Sequence, residues 1–230
     1  MNMEALLEIE DVWKKYDMDG AEPLVVLKEI NATINKGDFV AIVGPSGSGK
    51  STMMHIVGAL DRPSWGKVSL KKKDISELGE SGLAQLRGKT IGFIFQQFNL
   101  IPTLSALENV MLPMEIFDES THVAKERAEK LLKILDLGNR FHHKPNQLSG
   151  GQQQRVAIAR ALSNNPDIIL ADEPTGNLDS KTGMFVIDFL TKLNKEGKTI
   201  ILITHDMGLI KNANKVIKLM DGRIIKESKK

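Results

Sequence analysis

The stretch Phe39-Val40-Ala41-Ile42-Val43-Gly44-Pro45-Ser46-Gly47-Ser48-Gly49-Lys50-Ser51-Thr52 decides the fold. Its first five residues are apolar without a break, the pattern of a strand buried on both faces. Gly44 to Ser51 then match G-x-x-x-x-G-K-[ST], the spacing of a loop that wraps phosphate groups. The residue types follow from that task. Gly47 and Gly49 let the backbone curl so that successive N–H groups face one anion. A helix opening at Ser51 adds the positive end of its dipole. Lys50 is placed to neutralise β- and γ-phosphates, and the Ser51 hydroxyl suits Mg²⁺. Gly44, Ser46, Gly47, Ser48, Gly49, Lys50, Ser51 and Thr52 are therefore the expected phosphate-holding residues.

Two further segments carry chemistry. Ile168-Ile169-Leu170-Ala171-Asp172-Glu173 reads as an apolar strand ending in two carboxylates. In open α/β sheets, sites gather at the carboxyl ends of strands. Asp172 is then placed to hold Mg²⁺, and Glu173 to accept a proton from an attacking water. Leu148-Ser149-Gly150-Gly151-Gln152 precedes a helical run that ends near Leu162. Ser149 is a good N-cap, and the glycines leave the first amides uncovered for an anion.

Around these segments the chain reads as α/β. Leu7, Ile9 and Val12 lie in one expected strand, and Ile30, Ala32 and Ile34 alternate with polar residues in another. Val68 and Leu70 suggest an edge strand. Ala124, Ala128, Leu131, Leu132 and Leu135 recur at helical spacing, and Gly138 stops that helix. A helix is expected over 184–194 and a buried strand over Thr199 to Ile203. Val216 to Met220, Asp221-Gly222 and Arg223 to Ile225 form an expected hairpin.

Bulk properties narrow the classes. The 230 residues are 41% hydrophobic and 26% charged, ordinary for a chain with a real core. No apolar run nears the roughly 20 residues that cross a bilayer. Met1-Asn2-Met3-Glu4 lacks the marks of a signal peptide. Without cysteine there is no disulfide and no thiolate zinc site. A net charge of +2 does not argue for nucleic acid. The basic tail, Lys226 to Lys230, reads as a solvated end.

Leu148-Ser149-Gly150-Gly151-Gln152 resembles the signature motif of ABC (ATP-binding cassette) ATPases, and the three motifs stand in that family's order. The resemblance covers about Leu6 to Glu227. It implies a P-loop NTPase α/β core with an N-terminal antiparallel β subdomain, over 1–96 and 164–230. A helical subdomain carrying the signature would occupy 97–163. It implies ATP and Mg²⁺ as ligands and ATP hydrolysis as the activity. Two copies would pair head to tail, so that Ser149, Gly150, Gly151 and Gln152 of one close on the γ-phosphate held by the other.

Other positions match the family residue by residue. Tyr16 stands where an aromatic stacks on adenine, with Trp13 as a substitute. Gln96 resembles the glutamine that senses Mg²⁺ and the attacking water, with Gln97 adjacent. Asp179, after Leu178, resembles the loop that communicates across the dimer. His205 resembles the switch histidine at the γ-phosphate. The implied catalytic set is Glu173, His205, Gln96 and Lys50, and the implied metal ligands are Ser51, Gln96 and Asp172. His142-His143 matches no family motif and reads as a solvent-facing loop.

Phe95 to Val110 and Leu170 to Asp179 are similar to the lipoprotein-releasing and macrolide- or peptide-exporting branch. That branch implies an integral membrane permease subunit and a peripheral place at the inner, cytoplasmic face of the cell membrane. Phe98, Leu100, Ile101 and Leu104 would line the groove for the membrane subunit, though some are expected in the core. A membrane-associated regulator of the cell-division type is the alternative that the sequence leaves open.

Overall fold

The computed structural model describes residues 4–20, 22–206 and 208–229. Met1-Asn2-Met3 and Lys230, used in reading the two termini, lie outside them. In chain order the elements are β1 (Ala5–Tyr16), β2 (Leu24–Asn35), β3 (Phe39–Val43), α1 (Lys50–Val57), β4 (Trp65–Leu70) and β5 (Lys73–Asp74). Then come α2 (Glu80–Thr90), β6 (Ile91–Ile94), α3 (Ala106–Glu115), α4 (Thr121–Ile134) and α5 (Gly150–Leu162). The chain finishes with β7 (Ile168–Asp172), α6 (Ser180–Lys195), β8 (Thr199–Ile203), β9 (Lys215–Met220) and β10 (Arg223–Lys229). They divide into two compact units, 1–87 with 193–230, and 88–192.

The first unit holds an antiparallel sheet ordered β2-β1-β4-β5. Ile9 stands opposite Ala32 on one side and Val68 on the other. The period-two apolar residues expected in β1 and β2 are buried, as strands with one face on a core require. β4 is not at the edge, because the two-residue β5 pairs with it. The same unit carries β3 between two parallel neighbours, β8 and β9, with β10 antiparallel on β9. Every residue of β3 and β8 is buried, which is why both read as unbroken apolar runs. Burying each large aliphatic or aromatic side chain there stabilises the fold by about 1.5–3 kcal/mol.

In the second unit β6 runs parallel to β7, with Ile94 opposite Ala171. α3, α4 and α5 pack on one another, and α5 packs on β6. The apolar stripe of α4 behaves as its spacing predicts. Ala124, Ala128, Leu132 and Leu135 are buried, and Leu131 is half-buried. α2 and α3 have no counterpart in the sequence reading. α3 contains Pro113 and still holds, opened by a capping box between Ser105 and Glu108.

Candidate nucleotide site

The phosphate loop lies in the first unit, at the carboxyl end of β3. Gly47 and Gly49 both take positive φ, 77° and 100°, so the residue pattern and the backbone agree. Gly44 has no room for a side chain, since a Cβ there would lie 2.2 Å from the Leu219 carbonyl oxygen. The loop is thus seated against β9. Lys50 curls back and donates to the carbonyls of Gly44 (2.9 Å) and Pro45 (2.8 Å). Its ammonium is held over the loop's own concave backbone. Ser51 follows in the first turn of α1 and is exposed.

His205 reaches the same sheet end by register. Ile203 of β8 stands beside Ile42 of β3, and Thr204 N–H donates to the Ile42 carbonyl at 3.2 Å. His205 comes two residues after Ile203, as Gly44 comes two residues after Ile42. Its side chain is exposed.

Tyr16 ends β1 in this unit and is 36% exposed. Its hydroxyl donates to Asp61 Oδ2 at 3.1 Å. Burial, then the hydrogen bond and charge of Asp61, push the Tyr16 phenol pKa up. For Asp61 burial opposes ionisation, but Lys14 and the Arg62 amide outweigh it and hold the carboxyl below its usual range. Asp61 and Lys14 escaped the sequence reading because neither belongs to a motif, and Asp61 stands 45 residues from Tyr16. Trp13 faces elsewhere, with the Arg223 guanidinium 5.8 Å from its ring centroid.

The second unit brings Gln96 and Glu173 to one sheet end. Since Ile94 stands beside Ala171, the parallel strands deliver Gln96 and Glu173 side by side, each two residues further on. Glu173 has φ 43°, in the left-handed region that non-glycine residues rarely enter. The chain turns sharply there, and Gly176 N–H closes the turn on the Glu173 carbonyl at 3.0 Å. Asn177 Nδ2 donates to the Gln96 carbonyl at 3.0 Å, which joins the two segments directly.

α5 begins as a built cap. Ser149 Oγ accepts from Gln152 N–H (3.3 Å), and Gln152 Oε1 accepts from Ser149 N–H (3.0 Å). Ser149 and Gly150 are exposed, while Gly151 is pressed on Thr182, which would lie 2.8 Å from a Cβ. Asp179 accepts from the Lys181 and Thr182 amides, both at 3.0 Å, and so caps α6 beside this helix start. Gln154 was missed. It is fully buried and donates to the Pro174 carbonyl at 2.9 Å, tying α5 to the turn after Glu173.

A groove of about 390 Å³ opens next to Gln97, lined by Phe98, Leu100, Pro102, Pro145, Gln153 and Asn177. Phe98, Leu100 and Leu104 are half-buried and Ile101 is exposed, so none of the four belongs to the closed core. His142 is exposed and His143 contacts Arg140 at 3.1 Å. Among the described residues no cluster of three or more His, Asp or Glu suits a metal.

Residues 27–176 match the family model described as ABC transporter. This chain belongs to the ABC transporter family. Within it the chain is an ATP-binding and ATP-hydrolysing cassette. It is 50% identical over 222 residues to an uncharacterized ABC transporter ATP-binding protein of Thermotoga maritima, covering 96% of this chain and 94% of the relative. It is 51% identical over 219 residues to the macrolide export ATP-binding/permease protein MacB of Bdellovibrio bacteriovorus. That match takes 95% of this chain but only 33% of MacB. Among solved structures, the cassette MJ0796 of Methanocaldococcus jannaschii, a dimer in a post-hydrolysis state bound to ADP and Pi, superposes with TM-score 0.89. The identity is 49%, over 97% of this chain and 98% of that one. The ABC cassette fold expected from the three motifs is therefore the fold found.

Proposed function

We propose that this chain drives an exporting membrane subunit, working as two copies that sandwich ATP between them. The observation that supports this most directly is the near end-to-end match to a cassette whose dimer holds ADP and Pi. The similarity to MacB, whose remaining two thirds lie outside the match, supports export and a separate membrane-spanning partner. No helix among the described residues is long and apolar enough to cross a membrane. The proposed place is accordingly the inner face of the membrane, held there by the partner. The groove beside Gln97, with Ile101 and Leu104 near it in sequence, is the proposed seat for that partner.

The residue roles are those that the resemblance to ABC ATPases implies, and the chemistry of each residue suits its role. The loop amides of Gly44 and of Ser46 to Thr52 and the Lys50 ammonium bind the β- and γ-phosphates, with Tyr16 against the adenine. Ser51, Gln96 and Asp172 offer only oxygen donors, a hard set that fits Mg²⁺ and not a softer metal. When bound, Mg²⁺ neutralises phosphate charge and helps align the terminal phosphate. Glu173 takes the proton of the attacking water, Gln96 orients that water, and His205 holds the γ-phosphate. Ser149, Gly150, Gly151 and Gln152 of the second copy close on the same phosphate, with Gly150 and Gly151 supplying the amides that the capping box does not use and Asp179 fixing the neighbouring helix start.

Glu173→Gln tests both halves of the proposal. Turnover should fall about 10²–10⁴-fold, the usual worth of a general base. ATP should then hold the variant as a dimer in size-exclusion chromatography, because hydrolysis no longer reopens it. A loss below tenfold with intact ATP binding removes Glu173 from the role. A variant that stays monomeric with ATP sinks the two-copy reading.

A further inference from the structure

The segment after α1 is fastened to both β1 and the phosphate-loop helix. Leu60 and Asp61 N–H groups donate to the His55 carbonyl at 2.8 and 3.1 Å, which fixes the segment to α1. Ser64 N–H donates to the Trp13 carbonyl at 2.8 Å, and Lys15 N–H donates to Ser64 Oγ at 3.1 Å. At the centre of this junction Asp61 gathers three donors. Lys14 Nζ and the Arg62 amide donate to Oδ1, each at 2.7 Å, and the Tyr16 hydroxyl donates to Oδ2 at 3.1 Å. Lys14 also donates to the Arg62 carbonyl at 2.9 Å and is nearly buried, with 12% of its side chain exposed. The same ammonium lies 4.9 Å from the Tyr16 ring centroid.

We propose that Asp61, held by Lys14, is a positioning residue that fixes the Tyr16 ring for the adenine of ATP. The inference rests on the reading of Tyr16 as the adenine platform and adds what orients it. A tyrosine at the end of a strand pivots about two side-chain torsions, and freezing them costs binding energy unless the protein has frozen them beforehand. Asp61 anchors the phenol oxygen to α1, so the ring keeps a constant relation to the phosphate loop. Lys14 covers one ring face, and the opposite face receives the base. Lys14 also compensates the carboxylate, so that the half-buried Asp61 stays ionised and accepting.

The test uses the intact chain and titration calorimetry with two ligands, ATP and inorganic tripolyphosphate, which has no base. Asp61→Asn keeps the shape and removes the charge. It should raise Kd for ATP about two- to tenfold and leave Kd for tripolyphosphate unchanged. Tyr16→Phe should weaken ATP similarly, and Asp61→Asn should then add nothing further, since the anchored oxygen is gone. An unchanged Kd for ATP in Asp61→Asn overturns the proposal. So does an equal loss for both ligands, which would mean that Asp61 only supports α1. Tyr16→Ala reports on the underlying reading, with an expected rise of roughly tenfold or more from lost stacking. If Tyr16→Ala leaves ATP binding unchanged, the platform itself is wrong and the positioning role falls with it.

Discussion

Gly176 packs so closely on Gln96 that a Cβ at position 176 would lie 2.8 Å from Gln96 Nε2. The next residue, Asn177, donates to the Gln96 carbonyl. One turn therefore holds Gln96 by its side chain and by its backbone, directly after the turn at Glu173. Gly176→Ala should displace the Gln96 amide, because the touching atom is the free end of a flexible side chain. The fold should tolerate it within about 1 kcal/mol. ATP turnover should fall roughly 10- to 100-fold, as expected when a positioning group shifts by an ångström. Melting temperature and steady-state ATPase assays separate the two effects. Unaltered turnover would detach Gln96 from the reaction.

Much of this arrangement was legible in the sequence, for identifiable reasons. β3 is buried on both faces and so leaves an unbroken apolar run, and in the loop after it Gly47 and Gly49 occur where the backbone takes positive φ. Ser149 and Gln152 sit at capping-box spacing, and the structure shows both reciprocal hydrogen bonds. α2 was hidden because Ser81, Gly82 and Gly88 dilute its helical signal and Leu83 is its one large buried side chain among those in the first unit. It is stabilised instead by distant partners, as Arg87 donates to the Ala59 carbonyl and Arg62 pairs with Glu80. α3 was hidden by Pro113, although Ser105 and Glu108 carried a readable capping-box spacing. The bonds of Asp61 to Tyr16 and of Gln154 to Pro174 join residues far apart in sequence, and no local pattern encodes them.

The segment between Gln96 and α3 owes its shape to Asn109. That side chain is 1% exposed, accepts from Ile101 N–H at 2.8 Å, and donates to the carbonyls of Leu104 and Ser105 at 3.1 and 2.9 Å. It replaces, for this loop, the backbone partners that a strand or helix would supply. Asn109→Ala should cost about 2–3 kcal/mol in urea unfolding, since it orphans several polar groups at once. Amide exchange at Ile101 should quicken as well. A cost under about 0.5 kcal/mol would mean that the loop holds its form without Asn109.

The cap of α3 predicts a pH dependence with a definite sign. Ser105 donates to Glu108 Oε2 from both its hydroxyl and its amide, each at 2.7 Å. The hydroxyl and amide bonds of Ser105 hold the Glu108 carboxyl below its ordinary pKa, with smaller help from the charges of Lys144 and His142. A carboxylate with a depressed folded-state pKa stabilises the fold above its unfolded value, about 4.3. The contribution is lost as pH falls through the lower folded-state value. Glu108→Ala should therefore be less stable than the parent at pH 7, by about 0.5–1 kcal/mol for a cap at a helix N-terminus. The gap between the two should begin to narrow below about pH 4.3 and should close at lower pH. Comparing the two proteins at each pH cancels the titration of the other carboxylates. Urea unfolding from pH 7 to pH 3 measures the gap, and a constant gap across that range would show that the Glu108 charge contributes nothing to the cap.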